Sequence, residues 1–425
     1  MSNQAKAVIP HIIDQHAEEA SFLWLLRNNA VNAPHYDLDD LAKLDGRVEA
    51  HLDGLRVAGD YGWQVCHQHL QIKESGEVFT AAVLALEGRS VEQINQVYKI
   101  VEQVPETING LISAFGWVEK ESLQGKVNGL LVSSNALWRE VGISACLIHR
   151  VDPGKFLEEA ILDENIPLRI RSLKAVGELG RVDLKMALLE QLNHGDKQVC
   201  FWAAWSSVLL GDRGHALNIL RLEIEKNSEF CLPAMQVALP VLDAKSVKKT
   251  LKVLADSQST LRLAIIGSGI SGDPVYIPWL IQQIQLVEFS KIAGEAFSHL
   301  CGVDLAYQDM DGEFPEEAVN GNPSENPADE SVEMDEDEDL SYPDVIEVQN
   351  WWKKNEGCFE PGARYLYGKP VTMDHCTQIL KKGTQRLRYK AAILLALMKP
   401  EQALFEVKRR SNSNADSTCL LSWKY

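Results

Sequence analysis

A ladder of alanines constrains this chain more than any other feature. Ala175, Ala204, Ala234, Ala264 and Ala293 follow one another at intervals of 29, 30, 30 and 29 residues, each inside an apolar run of helical spacing (173–179, 201–210, 232–239, 261–266 and 292–300). A fixed period of this length is the mark of stacked supersecondary units. Between the rungs lies a second helical run, such as Leu184, Leu188, Leu189 and Leu192, then Leu217, Ile219, Leu220 and Ile224. Each unit therefore reads as a helical hairpin. Alanine recurs where two helices cross closely and leave little room beyond Cβ, and Gly180, Gly211 and Gly269 are expected to end the first helix of their units. Ala145, Ile112 and Ala82 continue the ladder upstream, and Ala391 with Ala392, in 387–398, marks one last unit after an interruption. Hairpins this small cannot bury their apolar faces alone, so the array is the folding unit.

The period lies near those of ankyrin and tetratricopeptide repeats, but the Thr-Pro-Leu-His and Trp-Leu-Gly-Tyr patterns of those repeats are missing. Pro167, Arg169 and Arg171, opening a first helix, are similar to short HEAT-like repeats instead. The expected fold class is all-α: an α-solenoid of short HEAT-like helical hairpins with a long acidic insertion before the last hairpin. Four regions follow: an N-terminal helical cap (1–60), the repeats (61–303), an acidic, partly disordered insertion ending in a Trp/Gly-rich segment (304–376), and a C-terminal hairpin and tail (377–425). In the cap, Pro10 opens a helix through Trp24 and Leu26, Pro34 breaks the chain, and Asp37 is a good N-cap for the next helix. Leu41, Leu44, Val48, Leu52 and Leu55 fall on one face of that helix.

Charge is distributed unevenly. The formal net charge is −18, yet 16 Asp and Glu and no Lys or Arg lie in 304–344, which leaves about −2 for the rest. The stretch is rich in Gly, Pro, Asn and Ser and holds too little apolar surface to offset the entropy of folding, so a long loop is expected there. Order returns at Val345, with Val348, Trp351 and Trp352 on a short amphipathic helix, followed by Gly362-Ala-Arg-Tyr-Leu-Tyr-Gly368. The longest uninterrupted apolar run, 391–398, is far short of a membrane span. The N-terminus lacks a signal-peptide pattern. The eight cysteines form no CxxC pair and read as small buried hydrophobes in a reducing cytosol, which places the chain in the cytoplasm.

Candidate chemistry is sparse. Gly267-Ser-Gly269-Ile-Ser-Gly272 matches GxGxxG, but it follows a helix rather than a strand, so it reads as a glycine-rich turn before Asp273 and Pro274, which cap and open the next helix. Cys66, His67 and His69 crowd together, yet only Cys66 and His69 share a helix face. His11 and His16, five apart, share none. Asp335, Asp337 and Asp339 alternate like the start of a calcium loop, but Leu340 and Ile346 stand where its glycine and glutamate belong. No GxSxG, HExxH or P-loop pattern occurs. No enzyme, cofactor or metal centre is expected.

The stretch Asp45-Gly-Arg-Val-Glu-Ala-His51-Leu-Asp-Gly-Leu-Arg-Val-Ala-Gly59, with His16-Ala-Glu-Glu-Ala20, Trp351-Trp352 and Gly362–Gly368, resembles a family of proteobacterial HEAT-repeat proteins often encoded beside type VI secretion genes. The resemblance spans nearly the whole chain, including the acidic stretch. It implies an immunity protein that binds and neutralises a secreted DNase toxin or, as the alternative, an adaptor or scaffold of the secretion machinery. The expected partner is a protein with a basic surface, not nucleic acid and not a membrane. Its expected contacts are Asp309, Asp311, Glu313, Glu333, Asp335, Glu336, Asp337, Glu338, Asp339, Trp351 and Trp352. Asp45 and Glu49 read as solvating a helix.

Overall fold

The computed structural model describes residues 9–313 and 337–410. It is mostly helical, with 21 α-helices among the described residues and two strands of two residues each. The described residues divide into two compact units: one comprises 9–32, 36–179 and 406–410, the other 33–35, 180–313 and 337–405.

In the first unit, Pro10–Ala30 and Leu38–Ala58 form a closely packed antiparallel pair. Pro10 stands in the first turn, where a missing N–H costs nothing. The Asp37 carboxylate accepts from the amides of Asp39 and Asp40, satisfying two orphan donors of the second helix. Its predicted stripe, Leu41, Leu44, Val48, Leu52 and Leu55, is buried throughout. Ser75–Gly88 then packs on Ile108–Trp117, and Ala136–Ile148 on Ile166–Glu178.

In the second unit the rungs fall on Lys197–Leu209, Cys231–Ala238, Gln258–Ser271 and Val287–Cys301. Consecutive members of this set touch, and each also packs on an adjoining helix: His215–Glu225, Ala244–Ala255 or Ile277–Ile284. Ala204, Ala234, Ala264 and Ala293, like Ala145 and Ala175 in the first unit, are all 0% exposed, as close helix crossings require.

Several expectations are corrected. Gly180 and Gly211 do end their helices with φ of +67° and +86°, but Gly269 does not: the helix runs through Gly267 and Gly269 to Ser271, and Gly272 (φ +75°) makes the turn. Gly267 and Gly269 serve packing. A Cβ on Gly267 would lie 2.6 Å from Leu251 Cδ2, and one on Gly269 would lie 3.0 Å from Ala296 Cβ. The predicted Asp273 cap is present, its carboxylate accepting from the Val275 amide.

The last hairpin, Met373–Lys382 with Gln385–Met398, does not simply extend the ladder. Its second helix lies against Lys197–Leu209 and Cys231–Ala238, on the ladder helices themselves. The physical reason is its sequence: ten of its residues, from Gln385 to Leu397, are buried, and from Ala391 onward the helix is apolar all round and needs cover on several sides. The acidic stretch is also less solvated at its ends than its composition implies. Leu305 and Met310 are buried in the cluster built on Phe297 and Ile281, and Leu340 packs against it. Gly312 N donates to Tyr342 O at 2.7 Å and Asp344 N to Met310 O at 2.8 Å, so the two described ends are joined in a short antiparallel bridge. Among the cysteines, Cys358 is exposed and Cys200 only half-buried, and Cys419 lies outside the described residues.

Candidate functional site

The anticipated contact residues fall into three groups. Glu333, Asp335 and Glu336 lie outside the described residues. Asp309, Asp311, Glu313, Glu338 and Asp339 are exposed at the two ends of the acidic stretch, with Asp339 Oδ2 at 3.2 Å from His35 Nδ1. Asp337 differs from these. Its carboxylate is 13% exposed and is gripped by both terminal nitrogens of Arg262, one at 3.0 Å. Lys291 Nζ donates to the carbonyls of Asp337 and Glu338 at 3.2 and 3.1 Å.

Trp351 and Trp352 lie on Val345–Asn355, whose N-cap Asp344 accepts from the amides of Ile346 and Glu347. Trp351 meets Phe297 edge-on at a centroid distance of 5.6 Å, and Trp352 meets Phe359 at 5.6 Å. Both indoles are half-buried, so much of their surface already serves to hold this helix on the second unit.

The Gly362–Gly368 stretch becomes a tight hairpin, Tyr365–Leu366 paired with Lys369–Pro370, turning through Tyr367 and Gly368 at φ +48° and +78°. The turn is pressed against Cys301 O and Gly302, where a side chain on Gly368 would collide. This hairpin ties together the C-terminal ends of three ladder helices. Tyr365 N donates to Gly272 O, Tyr367 N to His299 O and Gly368 N to Leu300 O. Arg364 donates through Nη1 to Leu239 O and Ser271 O, at 2.9 and 2.7 Å, and through Nη2 to Leu242 O at 2.7 Å. Such carbonyls have no partners within their own helices, and one planar guanidinium serves two ends at once.

A polar cluster sits where Gln385–Met398 crosses the ladder. Lys291, Glu295 and His299 follow at i, i+4 and i+8 on Val287–Cys301. Arg386 donates to both Glu295 oxygens at 2.9 and 3.0 Å, and Lys390 Nζ donates to Gly269 O. Burial pulls the Lys390 ammonium down to about 7, against the opposing pull of Glu295. Burial likewise raises the Glu295 carboxyl despite Arg386. It drives His299 well below its ordinary range, with Lys390 and Arg386 acting in the same direction, so the imidazole is neutral.

Sequence reading missed a network in the first unit, although the Asp45–Gly59 stretch it quoted holds half of the residues. Asp45 is 0% exposed and accepts from Arg27 Nε at 2.8 Å. Glu49 accepts from Arg56, Arg410 and the Trp117 indole at 2.8, 3.0 and 2.8 Å, and the guanidinium of Arg410 lies 4.7 Å from the Trp117 ring centroid. Arg56 also holds Asp53 and Glu87. The expectation that Asp45 and Glu49 solvate a helix is corrected: they join helices. His16 and His51 likewise meet, Nδ1 to Nδ1 at 3.2 Å, with Gly54 leaving room for the His16 ring.

Among the described residues, no group of three or more His, Cys, Asp or Glu gathers as metal ligands would. His69 Nε2 meets Asp14 at 2.8 Å, and burial pushes the Cys66 thiol up to about 12. No described helix is long and apolar enough to cross a membrane. Compared with protein-family models, curated proteins and solved structures, the chain matches none.

Proposed function

We propose that this chain is a protein-binding repeat protein whose acidic segment engages the basic surface of a partner, and that the partner is a secreted nuclease which the chain neutralises as a type VI secretion immunity protein. In this reading the helical hairpins stack as a short HEAT-like α-solenoid, and the protein works in the cytosol. The observation that carries it is the concentration of 16 carboxylates, unmixed with Lys or Arg, in 304–344 of an otherwise nearly balanced chain. A nuclease must present cations to phosphates, and a dense carboxylate run competes for those cations and steers the encounter. Gln385–Met398 lies against Lys197–Leu209 and Cys231–Ala238 and so covers part of these ladder helices, which favours the acidic segment as the contact surface.

The test is a search for a nuclease gene adjoining this chain's own, followed by association of any such nuclease with the protein, measured by surface plasmon resonance at several salt concentrations, together with inhibition of DNA cleavage. Replacing Glu333, Asp335, Glu336, Asp337, Glu338 and Asp339 by Ser or Asn should slow association and leave the circular dichroism spectrum unchanged. Equal association of the neutralised variant at low salt removes the acidic segment from the mechanism. Binding without inhibition replaces immunity by the adaptor role.

A further inference from the structure

The acidic segment is not simply offered to solvent; part of it is held by the chain's own cations. Arg262, on Gln258–Ser271, takes both oxygens of Asp337, and Lys291, on Val287–Cys301, takes the carbonyls of Asp337 and Glu338. The two basic residues come from adjacent ladder helices and converge on one dipeptide. Leu340 N closes a turn onto Asp337 O at 3.1 Å, and the Leu340 side chain packs against the apolar cluster beneath. Arg262 and Lys291 therefore occupy part of the segment that a basic partner would need.

We propose that Arg262 and Lys291 form an intramolecular latch that competes with the basic partner for the Asp337–Asp339 end of the acidic segment, so that partner binding opens the latch. The proposal rests on the reading of the acidic segment as the contact surface. It does not depend on the partner being a nuclease. The latch is an exposed-to-half-buried ion pair plus two carbonyl contacts. Its loss should tighten binding of a cationic probe by about five-fold, the equivalent of one strong surface pair.

The probe is a fluorescently labelled decalysine peptide, followed by anisotropy at low ionic strength. R262Q/K291Q removes the latch and also lowers the net charge by two, which alone would favour a polycation. K248Q/K249Q, on the exposed face of Ala244–Ala255, makes the same charge change away from the segment. The latch predicts that R262Q/K291Q gains clearly more affinity than K248Q/K249Q. Equal gains would overturn it. Hydrogen exchange of the unaltered protein gives a second reading that needs no variant. Saturating decalysine should speed exchange at the Leu340 amide, and an unchanged rate there would also overturn the latch. Failure of the nuclease reading would appear elsewhere, as an unaltered rate of DNA cleavage, with both latch results intact.

Discussion

Replacing Arg364 with alanine should loosen two helix ends at once. The guanidinium makes three charge-assisted hydrogen bonds, at 2.9, 2.7 and 2.7 Å, to Leu239 O, Ser271 O and Leu242 O. Bonds of this type contribute roughly 1.5–3 kcal/mol each when isolated, and they are not additive. Arg364 is half-buried, so water can reach some of the freed carbonyls. The expected loss is therefore about 2–4 kcal/mol rather than the sum of three. Native-state hydrogen exchange should register it locally. The amides of Leu239, Leu242 and Tyr365, bonded to Met235 O, Ala238 O and Gly272 O, should exchange about 30- to 1,000-fold faster. Arg364→Lys should recover less than half of the protection, because a single ammonium cannot span two helix ends. If R364A left these amides as protected as before, or if lysine restored them fully, the guanidinium would not be joining the helices.

Breaking the Arg27–Asp45 pair on one side, by R27L or D45L, should cost about 3–5 kcal/mol in urea unfolding, whereas the double variant R27L/D45L should lose much less; equal losses for all three would refute a buried pair. Gly46→Ala should stabilise by about 0.5–1 kcal/mol, since a Cβ there meets nothing and the helix gains propensity, while Gly269→Ala should destabilise by about 1–2 kcal/mol against Ala296; thermal melts give both signs. Lys390 titrates near 7 when folded and at its ordinary 10.5 when unfolded, so the unfolded chain binds the extra proton between those values and this group makes stability rise with pH across that window. Lys390→Met should therefore gain most below pH 7, up to a ceiling of about 5 kcal/mol less the lost bond to Gly269 O, and should gain nothing near pH 10.5; urea midpoints across pH 6–10 check the slope.

What could be read from the sequence was whatever repeats or follows a helical period. The alanine rungs, the Asp37 cap and the Leu41–Leu55 stripe are local patterns, and each lies where its pattern puts it. What could not be read depends on partners far away in the chain. Arg364 sits 122 residues from Leu242 and 93 from Ser271, and nothing near it marks it as a helix cap. Asp45 did carry a signal. It falls between Leu44 and Val48 and shares a face with Leu41 and Leu52, so it must be buried, and a buried carboxylate needs a cation. Its partner, Arg27, lies one helix upstream. The GxGxxG stretch misled for a related reason: glycine marks either a turn or a close helix approach, and only the neighbours Leu251, Met235 and Ala296 decide which. Arg386, Arg388 and Lys390 carried a similar hint, as charges crowded into the first half of a helix whose second half is wholly apolar.

The placement of the acidic segment bears on how such a protein could act. At physiological ionic strength, fields from exposed charges fade over about 8 Å, so a carboxylate run steers a partner only if it is held where that partner must land. The segment is held at both described ends: Leu305 and Met310 are buried on one side, and the Asp311–Pro343 bridge and Leu340 secure the other. Beneath these anchors, the hairpin carrying Arg364 and the crossing helix Gln385–Met398 join the ladder helices of the second unit to one another. On the proposed reading, such a base would let electrostatic attraction act at a fixed site rather than through the net charge of the whole chain. Salt should then act mainly on the rate of encounter, while residence time depends on apolar contacts that screening does not reach.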